Sequence, residues 1–456
     1  MPPFVQAARP PGQPFLGAKH QRRIELMLLF GSLIAIGTGG FWSVYFMLRQ
    51  QWLVVPIELL VAVIGMVGLV LTQRKQTNAA AALVLSSLYV VICLICLAVD
   101  VPTPAVPRSA HHVLLALGAC AFMMLRGNRA WLRNGATLVF FLTYCVLDGT
   151  NFSLLDGYGL PDDVRAFSTW GNNFIMLVTL YMAMHVMQAD VAAINALEAD
   201  LRVALVEGQF VLHYQPQVAS DGTVMGAEAL VRWMHPRHGM IPPGDFIPLA
   251  ERTGLILPLG EWVLRQACSQ LAAWADHPST ANIKLAVNVS ARQFRQPDFV
   301  QQVLSVVERC RIEPSRLKIE LTESMLVNDI EDIVSKMTQL KQRGVGFSLD
   351  DFGTGYSSLA YLKRLPLDQL KIDRAFVSDL LTDPNDAAIA QTVITLGQNL
   401  GLEVIAEGVE TDGQRGFLSS IGCHAFQGFL FSKPLPLPEF DAFVMAQVPH
   451  AEAAPV

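Results

Sequence analysis

Long apolar stretches separated by short charged breaks fill the chain from about residue 24 to residue 187, and they constrain its fold more than any other feature. Most of them approach the roughly 20 residues that an α-helix needs to cross the hydrocarbon core of a bilayer. The candidate spans are 24–47, 52–72, 79–99, 109–125, 134–149 and 168–187. The fourth and fifth are short and could form a single helical hairpin. The pattern predicts a polytopic α-helical membrane region with about six transmembrane helices, give or take one.

Basic residues are distributed unevenly among the breaks between these spans. With the N-terminus inside, the cytoplasmic segments hold Arg9, Lys19, Arg22, Arg23, Arg74, Lys75, Arg126, Arg129 and Arg133. The opposite side holds only Arg49, Arg108 and Arg165. Because the Lys/Arg asymmetry sets the orientation of a membrane protein, the tail 1–23 and everything after the last span are predicted to lie in the cytoplasm.

The composition changes abruptly near residue 188. Residues 188–207 carry apolar residues at helical spacing with acids between them, which predicts a helical linker. From 208 to about 445, eight short strand-like segments alternate with longer amphipathic stretches, and residues 446–456 read as a flexible tail. Eight strands in roughly 240 residues predict an α/β barrel of the TIM-like (β/α)8 type.

Charge and cysteine content exclude two classes of function. The net charge of -6 and the absence of a basic stripe argue against a polynucleotide partner. Cys93 and Cys96 form a C-x-x-C pair inside an apolar stretch, with no second pair to complete a metal site. They are interpreted as packing or lipid-facing residues.

Polar residues stand where nearly every predicted strand of the barrel ends. They are Glu228, Asn288, Glu320, Asp350, Asp351, Lys371, Glu407 and Gln427. The C-terminal ends of barrel strands converge on one mouth, so these residues should become neighbours. Carboxylates gathered in this way require a cation, and Mg²⁺ or Mn²⁺ suits oxygen ligands. Paired metals with Lys371 among them suggest phosphodiester hydrolysis, with the ammonium orienting a water or assisting proton transfer.

The order of motifs along the barrel resembles the EAL family of cyclic di-GMP phosphodiesterases. Glu228-Ala229-Leu230 alone would carry little weight, but further blocks stand in family order. They are Tyr214-Gln215-Pro216, Asn288-Val289-Ser290, Glu320-Leu321-Thr322-Glu323, Asp350-Asp351-Phe352-Gly353-Thr354-Gly355-Tyr356-Ser357-Ser358, Lys371-Ile372-Asp373, Glu407-Gly408-Val409-Glu410 and Gln427-Gly428-Phe429. The resemblance covers about 195–445 and leaves the membrane region unassigned.

Residue roles follow from this resemblance. It implies that Glu228, Asn288, Glu320 and Asp350 hold one metal, with Asp350 shared, and that Asp351 and Glu407 serve a second. Lys371, Glu407, Glu228 and Gln427 are the implied catalytic residues, Lys371 positioning the nucleophilic water and Gln427 lying near it. Gln215 and Arg232 match substrate-contacting positions, and Glu323 steadies the loop that begins at Asp351. His424 replaces a residue that is usually acidic in the family, away from the metal cluster but with a possible effect on substrate packing.

The resemblance also implies an activity and its setting. It predicts hydrolysis of cyclic di-GMP to linear pGpG with two Mg²⁺ or Mn²⁺ ions, by a homodimer that forms through the EAL domain. The chain would lie in the bacterial inner membrane with this domain in the cytoplasm.

Two other interpretations stay open. A receptor that binds cyclic di-GMP without cutting it is disfavoured by the complete set of acids, and a regulated transporter or channel is disfavoured by the scarcity of charge at mid-membrane depth. Glu58, next to Pro56, and the pair His111-His112 are candidates for sensing a proton or a metal, although isolated interfacial polar residues are more common. A cyclase-like Gly-Gly-Asp-Glu-Phe segment is absent from the sequence, which disfavours a bifunctional enzyme.

Overall fold

A computed structural model describes residues 15–125, 130–154, 159–327, 329–353 and 362–447. The chain divides into two compact units, one up to Leu197 and one from Glu198. Several residues of the sequence predictions lie outside the described residues, namely Arg9, Arg126, Arg129, the glycine-rich loop from Thr354 to Ser358 and most of the two tails.

The first unit is helical. Its helices are α1 (Phe15–Leu48), α2 (Val55–Gln73), α3 (Thr77–Ala98), α4 (Val113–Met124), α5 (Ala130–Asp148) and α6 (Asp162–Glu207). Five of them, all but α4, are long and apolar enough to cross a membrane. At 12 residues, α4 is about 18 Å long and falls short of the roughly 30 Å hydrocarbon core, even though a 3₁₀ turn, Ala110–His112, precedes it. Helix α6 continues without a break through the predicted linker.

Two buried arginines close one end of this unit. The Arg165 Nε donates to Asp100 Oδ1 at 3.3 Å, and its Nη2 donates to the carbonyl oxygens of Val106 and Pro107. The Arg108 guanidinium is bound mostly by backbone carbonyls, including that of Leu147 at 2.6 Å. Because the donors are matched by acceptors, these charges are tolerated in the interior and tie the connecting segments to the helix ends.

The second unit is built on a closed sheet. Its strands are β1 (Phe210–Ala219), β2 (Val224–His235), β3 (Gly239–Ile241), β4 (Lys284–Asn288), β5 (Leu317–Thr322), β6 (Gly346–Phe352), β7 (Gln369–Ile372), β8 (Glu403–Ala406), β9 (Ala425–Phe426) and β10 (Leu435–Pro436). The order is β10-β1-β9-β8-β7-β6-β5-β4-β2-β3, and pairing of β1 with β2 closes eight of the strands into a barrel. Each of these eight strands overlaps one of the eight strand segments predicted from the sequence, so the barrel prediction is confirmed.

Helices surround the barrel. They are α7 (Pro243–Thr253), α8 (Ile256–Ala275), α9 (Ala291–Phe294), α10 (Phe299–Cys310), α11 (Ile330–Gln342), α12 (Arg374–Ser378), α13 (Pro384–Leu400), α14 (Asp412–Ser420) and α15 (Leu437–Gln447), with 3₁₀ turns at Pro314–Arg316 and Glu323–Val327. Capping boxes start α9 at Ser290 and α14 at Thr411. One continuous core lies between strands and helices and includes Leu285, Ile319 and Leu370, each fully buried.

The barrel departs from eightfold β/α repetition at its first strand. Strand β1 runs antiparallel to both β2 and β9, whereas β2 and β4 to β9 form parallel pairs around the rest of the barrel. A short turn at Ser220–Thr223 connects β1 to β2, and an antiparallel neighbour needs no crossover helix. Glu228 therefore sits in the middle of β2, which extends past the barrel to pair with β3, and not at a strand end as the sequence suggested.

Candidate active site

The polar residues predicted at the strand ends meet at one mouth of the barrel. Asn288 on β4 lies opposite Glu320 on β5, and Thr322 on β5 lies opposite Asp350 on β6. These side chains therefore follow one another around the rim of the barrel. Glu320 and Lys371 are almost completely buried, whereas Asn288 is exposed. The mouth therefore has a buried charged floor and an open upper edge.

Lys371 occupies the centre of this floor. Its ammonium lies 2.8 Å from Glu320 Oε2 and 3.5 Å from both Glu228 Oε2 and Asp350 Oδ1, and it also contacts Glu407 Oε1. These four carboxylates come from four different strands or the residues that follow them. Four carboxylates against one ammonium leave a formal surplus of three negative charges when all are ionised.

Hydrogen bonds fix the orientation of Glu228. Its Oε1 accepts from Asn288 Nδ2 and its Oε2 from Gln427 Nε2, both at 2.6 Å. The same Gln427 amide nitrogen lies 3.2 Å from Gln215 Oε1, and Gln427 Oε1 accepts from Gln217 Nε2 at 3.1 Å. The amide chain thus links the antiparallel strand β1 to the acid cluster.

A β-bulge brings two consecutive aspartates to the rim. The register between β6 and β7 shifts between Leu349 and Phe352, and Asp351 adopts a φ of 56°, in the left-handed region that non-glycine residues rarely occupy. Because side chains of a regular strand alternate between faces, a bulge is needed for both Asp350 and Asp351 to reach one mouth. The backbone two residues after this strained position is held in place, because the Gly353 amide donates a hydrogen bond to Glu323 Oε2 at 3.0 Å.

The electrostatics of the mouth favour proton or metal uptake. Burial and the neighbouring carboxylates raise the pKa of Glu407 to about 8, and burial together with Asp350 raises the pKa of Asp351 to about 7. Burial holds the pKa of Glu320 well above its usual range, although Lys371 opposes the shift. The pKa of Glu228 is lowered, because Lys371 and the two amide donors outweigh its burial. Surrounding carboxylates keep the pKa of Lys371 high despite complete burial, so this side chain stays charged.

The donor set fits divalent metal ions of the hard type. All the acidic side chains offer oxygen, and Glu320 Oε1 is buried with no hydrogen-bond partner among the described residues. Among the described residues, no three acidic, histidine or cysteine side chains already form a closed metal site. The ammonium of Lys371 lies between them instead and supplies part of the missing positive charge.

Four further positions complete the comparison with the sequence. Arg232 is on the same face of β2 as Glu228 and four residues further along, where burial lowers the pKa of its guanidinium. His424 precedes β9 and binds Ser220, so it lies at the opposite end of that strand from the mouth and away from any substrate there. Sequence reasoning missed Gln217 and Asp373. Asp373 caps α12 and hydrogen-bonds with Asp351, and its position directly after β7 was the available signal.

The sequence matches a known protein family. A profile described as EAL domain matches residues 198–434. The Pseudomonas aeruginosa protein described as bifunctional diguanylate cyclase/cyclic di-GMP phosphodiesterase MucR is 50% identical over 246 residues, which are 54% of this chain and 36% of that protein. Cyclic di-GMP phosphodiesterase NbdA of the same organism is 44% identical over 262 residues, 57% of this chain and 33% of the relative. The chain thus spans about a third of the length of these relatives.

Solved structures resemble the second unit. The PaMucR phosphodiesterase in complex with c-di-GMP superposes with a TM-score of 0.52 at 50% identity, covering 53% of this chain and 98% of that one. The EAL enzyme Bd1971 with cAMP and cyclic-di-GMP gives a TM-score of 0.54 at 31% identity, covering 60% of this chain and 76% of that one.

Proposed function

The chain belongs to the EAL domain family, and we propose that it is a membrane-bound phosphodiesterase that hydrolyses cyclic di-GMP to linear pGpG with two Mg²⁺ or Mn²⁺ ions. The observation that carries this proposal is the buried surplus of carboxylates around Lys371. A purely structural barrel would gain nothing from gathering these acids, because each loses solvation on burial.

The acids divide between two metal sites in this proposal. Glu228, Asn288, Glu320 and Asp350 would hold one ion, with Asp350 shared, and Asp351 and Glu407 would hold the second. When bound, such ions neutralise the charge that develops on the attacking and leaving oxygens at phosphorus. Glu320 Oε1 has no hydrogen-bond partner among the described residues, and the pKa of Glu407 is raised to about 8. Both observations support the interpretation that Lys371 alone does not neutralise the negative charge of the carboxylates.

The chain's own groups would position the water and the substrate. Lys371 retains its proton and would donate a hydrogen bond to the oxygen of the attacking water, which fixes the direction of attack. Gln427 keeps Glu228 in place through their 2.6 Å hydrogen bond and would lie beside the same water. Gln215 and Arg232 would contact the guanylate and phosphate groups. This role is supported by the pairing of Gln215 on β1 with Glu228 on β2 and by the place of Arg232 on the same face of β2 as Glu228.

A membrane setting and a dimer belong to the same proposal. Five long apolar helices and the shorter α4 precede the barrel. Arg22, Arg23, Arg74 and Lys75 favour an N-terminus on the cytoplasmic side, and the barrel then lies in the cytoplasm when all six helices cross the membrane. We place the protein in the bacterial inner membrane, with residues 24–187 crossing it, 188–207 as a helical linker and 208–445 as the catalytic domain. The homodimer would form through the EAL domain.

Isotope labelling tests the reaction. Purified full-length protein is incubated with cyclic di-GMP and Mg²⁺ in ¹⁸O-water, and the products are analysed by mass spectrometry. Hydrolysis by water at phosphorus predicts linear pGpG with one labelled oxygen on its 5′-phosphate. Unchanged cyclic di-GMP bound to a folded protein would favour the receptor interpretation instead.

A further inference from the structure

The helical unit contains a partly open cavity of about 180 Å³. Its walls come from α1, α2, α3, α4 and α6 and are mostly apolar. Lining side chains include Thr38, Trp42, Glu58, Leu88, Ile92 and Met182. An apolar cavity of about 150 Å³ is enough to take up benzene, so this one has room for a small apolar molecule with a few additional atoms.

Glu58 is one of three charged residues in these walls, together with Asp100 and Arg165. It lies in the first turn of α2, and none of the described residues gives its carboxylate a hydrogen bond or an ion pair. The neighbouring cation at the cavity, Arg165, is already committed to Asp100, Asp162 and backbone carbonyls. Glu58 belongs to a helix that is long and apolar enough to cross a membrane, and an acidic side chain in such a helix normally has a partner or a function.

Trp42 lies at the same level of the bundle as Glu58. Helices α1 and α2 approach closely there, since a Cβ added to Gly39 would stand 2.6 Å from the carbonyl oxygen of Glu58, and Trp42 follows Gly39 by less than one turn. The indole is held by Phe46, at 5.6 Å between ring centroids, and by close packing at Gly171. Tryptophan is the aromatic residue that attracts organic cations most strongly.

We propose that this cavity binds a small organic amine with an apolar body, whose ammonium pairs with Glu58 beside Trp42. The apolar walls from α3 and α6 take the hydrocarbon part, whose removal from water favours binding. The carboxylate gives selectivity, because a neutral molecule of the same shape leaves it unpaired and an anion is repelled. This site is independent of the reaction proposed for the barrel.

Direct binding to the full-length protein in lipid nanodiscs tests the proposal. Tritiated 2-phenylethylamine is the probe, and empty nanodiscs measure its partition into lipid. We expect saturable binding of one molecule per chain, with 2-phenylethanol and phenylacetate competing at least about tenfold more weakly than the unlabelled amine. Binding no greater than in empty nanodiscs, or equal competition by the alcohol, would overturn the proposal without any mutation.

Two matched variants locate the site. Glu58→Gln keeps the shape of the side chain and removes its charge, and we expect it to weaken amine binding by at least about tenfold. Glu25→Gln makes the same change on α1 outside the cavity, and its affinity should equal that of the wild type. Equal affinities of the two variants, at melting midpoints that show both are folded, would contradict the assignment.

Discussion

The backbone amide of Gly353 donates a hydrogen bond to Oε2 of Glu323 at 3.0 Å, across thirty residues of chain. Glu323 is buried, and Gly353 follows the bulge in which Asp351 adopts a left-handed conformation. The contact therefore connects the end of β5 to the strained turn that presents Asp350 and Asp351. The predicted role of Glu323, to steady the loop that begins at Asp351, requires such a hydrogen bond. The role itself stays a prediction.

Loss of this bond should relax the bulge. We expect Glu323→Ala to lower kcat about 10- to 100-fold, because a displaced Asp351 holds metal poorly. Glu323→Gln retains a carbonyl oxygen and should recover much of the rate. Excess Mn²⁺ should raise the activity of Glu323→Ala towards that of the wild type, a response that a simple folding defect would not give.

A nearby acid serves as the control for that experiment. Glu331 is exposed and paired with Arg364, so Glu331→Ala removes a surface ion pair of small energetic value. Its rate should stay within about twofold of the wild type. A comparable loss in Glu323→Ala and Glu331→Ala would show that the rate responds to charge in this region rather than to the bond with Gly353.

Replacing Lys371 should make the thermal stability of the protein depend more strongly on bound metal. Lys371→Met removes the ammonium from the centre of the carboxylates, and breaking such a buried pair costs about 3–5 kcal/mol. In EDTA the melting midpoint should fall, and Mg²⁺ should restore more of it than in the wild type, because the ion then neutralises the acids alone. Activity should drop by about 10²-fold or more.

The matched control is Lys363→Met, at an exposed lysine, which should change neither the melting midpoint nor the activity. An identical response of the two variants to Mg²⁺ would refute a central place for Lys371.

Metal binding should release protons near neutral pH. The pKa of Glu407 is raised to about 8 and that of Asp351 to about 7, so both hold protons in part of the metal-free molecules at pH 7. Metal requires the deprotonated forms, and its apparent affinity should therefore increase as the pH rises from 6 through 8. Calorimetric titration with Mn²⁺ in buffers of different ionisation enthalpy measures the proton count. Affinity that is constant over this range, with no proton released, would be inconsistent with the raised values.

We expect activity to depend on the rotational phase of the linker, because helix α6 is continuous. It runs from Asp162 to Glu207, and deletion of one residue between Ala193 and Glu198 turns the following chain by about 100°. Deleting seven residues nearly restores the original face. We expect the one-residue deletion to change turnover in membranes more than the seven-residue deletion, with a four-residue deletion as a third point. Equal turnover in all three would mean that the linker is a passive tether.

The barrel was predictable from the local sequence, because each strand has a recognisable pattern. Segments such as Ile283–Ser290 and Leu317–Ser324 combine apolar runs with a polar residue at the end, and the structure places strands in each. The gathering of polar residues at the mouth was predictable from one geometric rule, because parallel strands end on the same side of the barrel. Glu320 and Lys371, more than fifty residues apart, meet at 2.8 Å for that reason.

Features that depend on pairing between distant segments were not predictable. The antiparallel direction of β1 is decided by its neighbours β2 and β9, and it is this direction that brings Gln215 beside Glu228. The bulge at Asp351 is a local backbone conformation stabilised by Glu323, which no alternation of residues encodes. In the helical unit, the partners of Arg165 come from the turn before α4 and from the end of α3.

Metal-dependent turnover tests the central claim most directly. Full-length protein purified in detergent is assayed for conversion of cyclic di-GMP to pGpG with Mg²⁺, with Mn²⁺, with EDTA, and with Mn²⁺ added back after EDTA, beside a Glu228→Ala variant. We predict turnover with either metal, none in EDTA, full recovery on adding metal back, and a loss of orders of magnitude in Glu228→Ala at an unchanged melting midpoint. Folded wild-type protein that binds cyclic di-GMP yet forms no pGpG with either metal, or Glu228→Ala that unfolds while keeping its specific activity, would contradict the account.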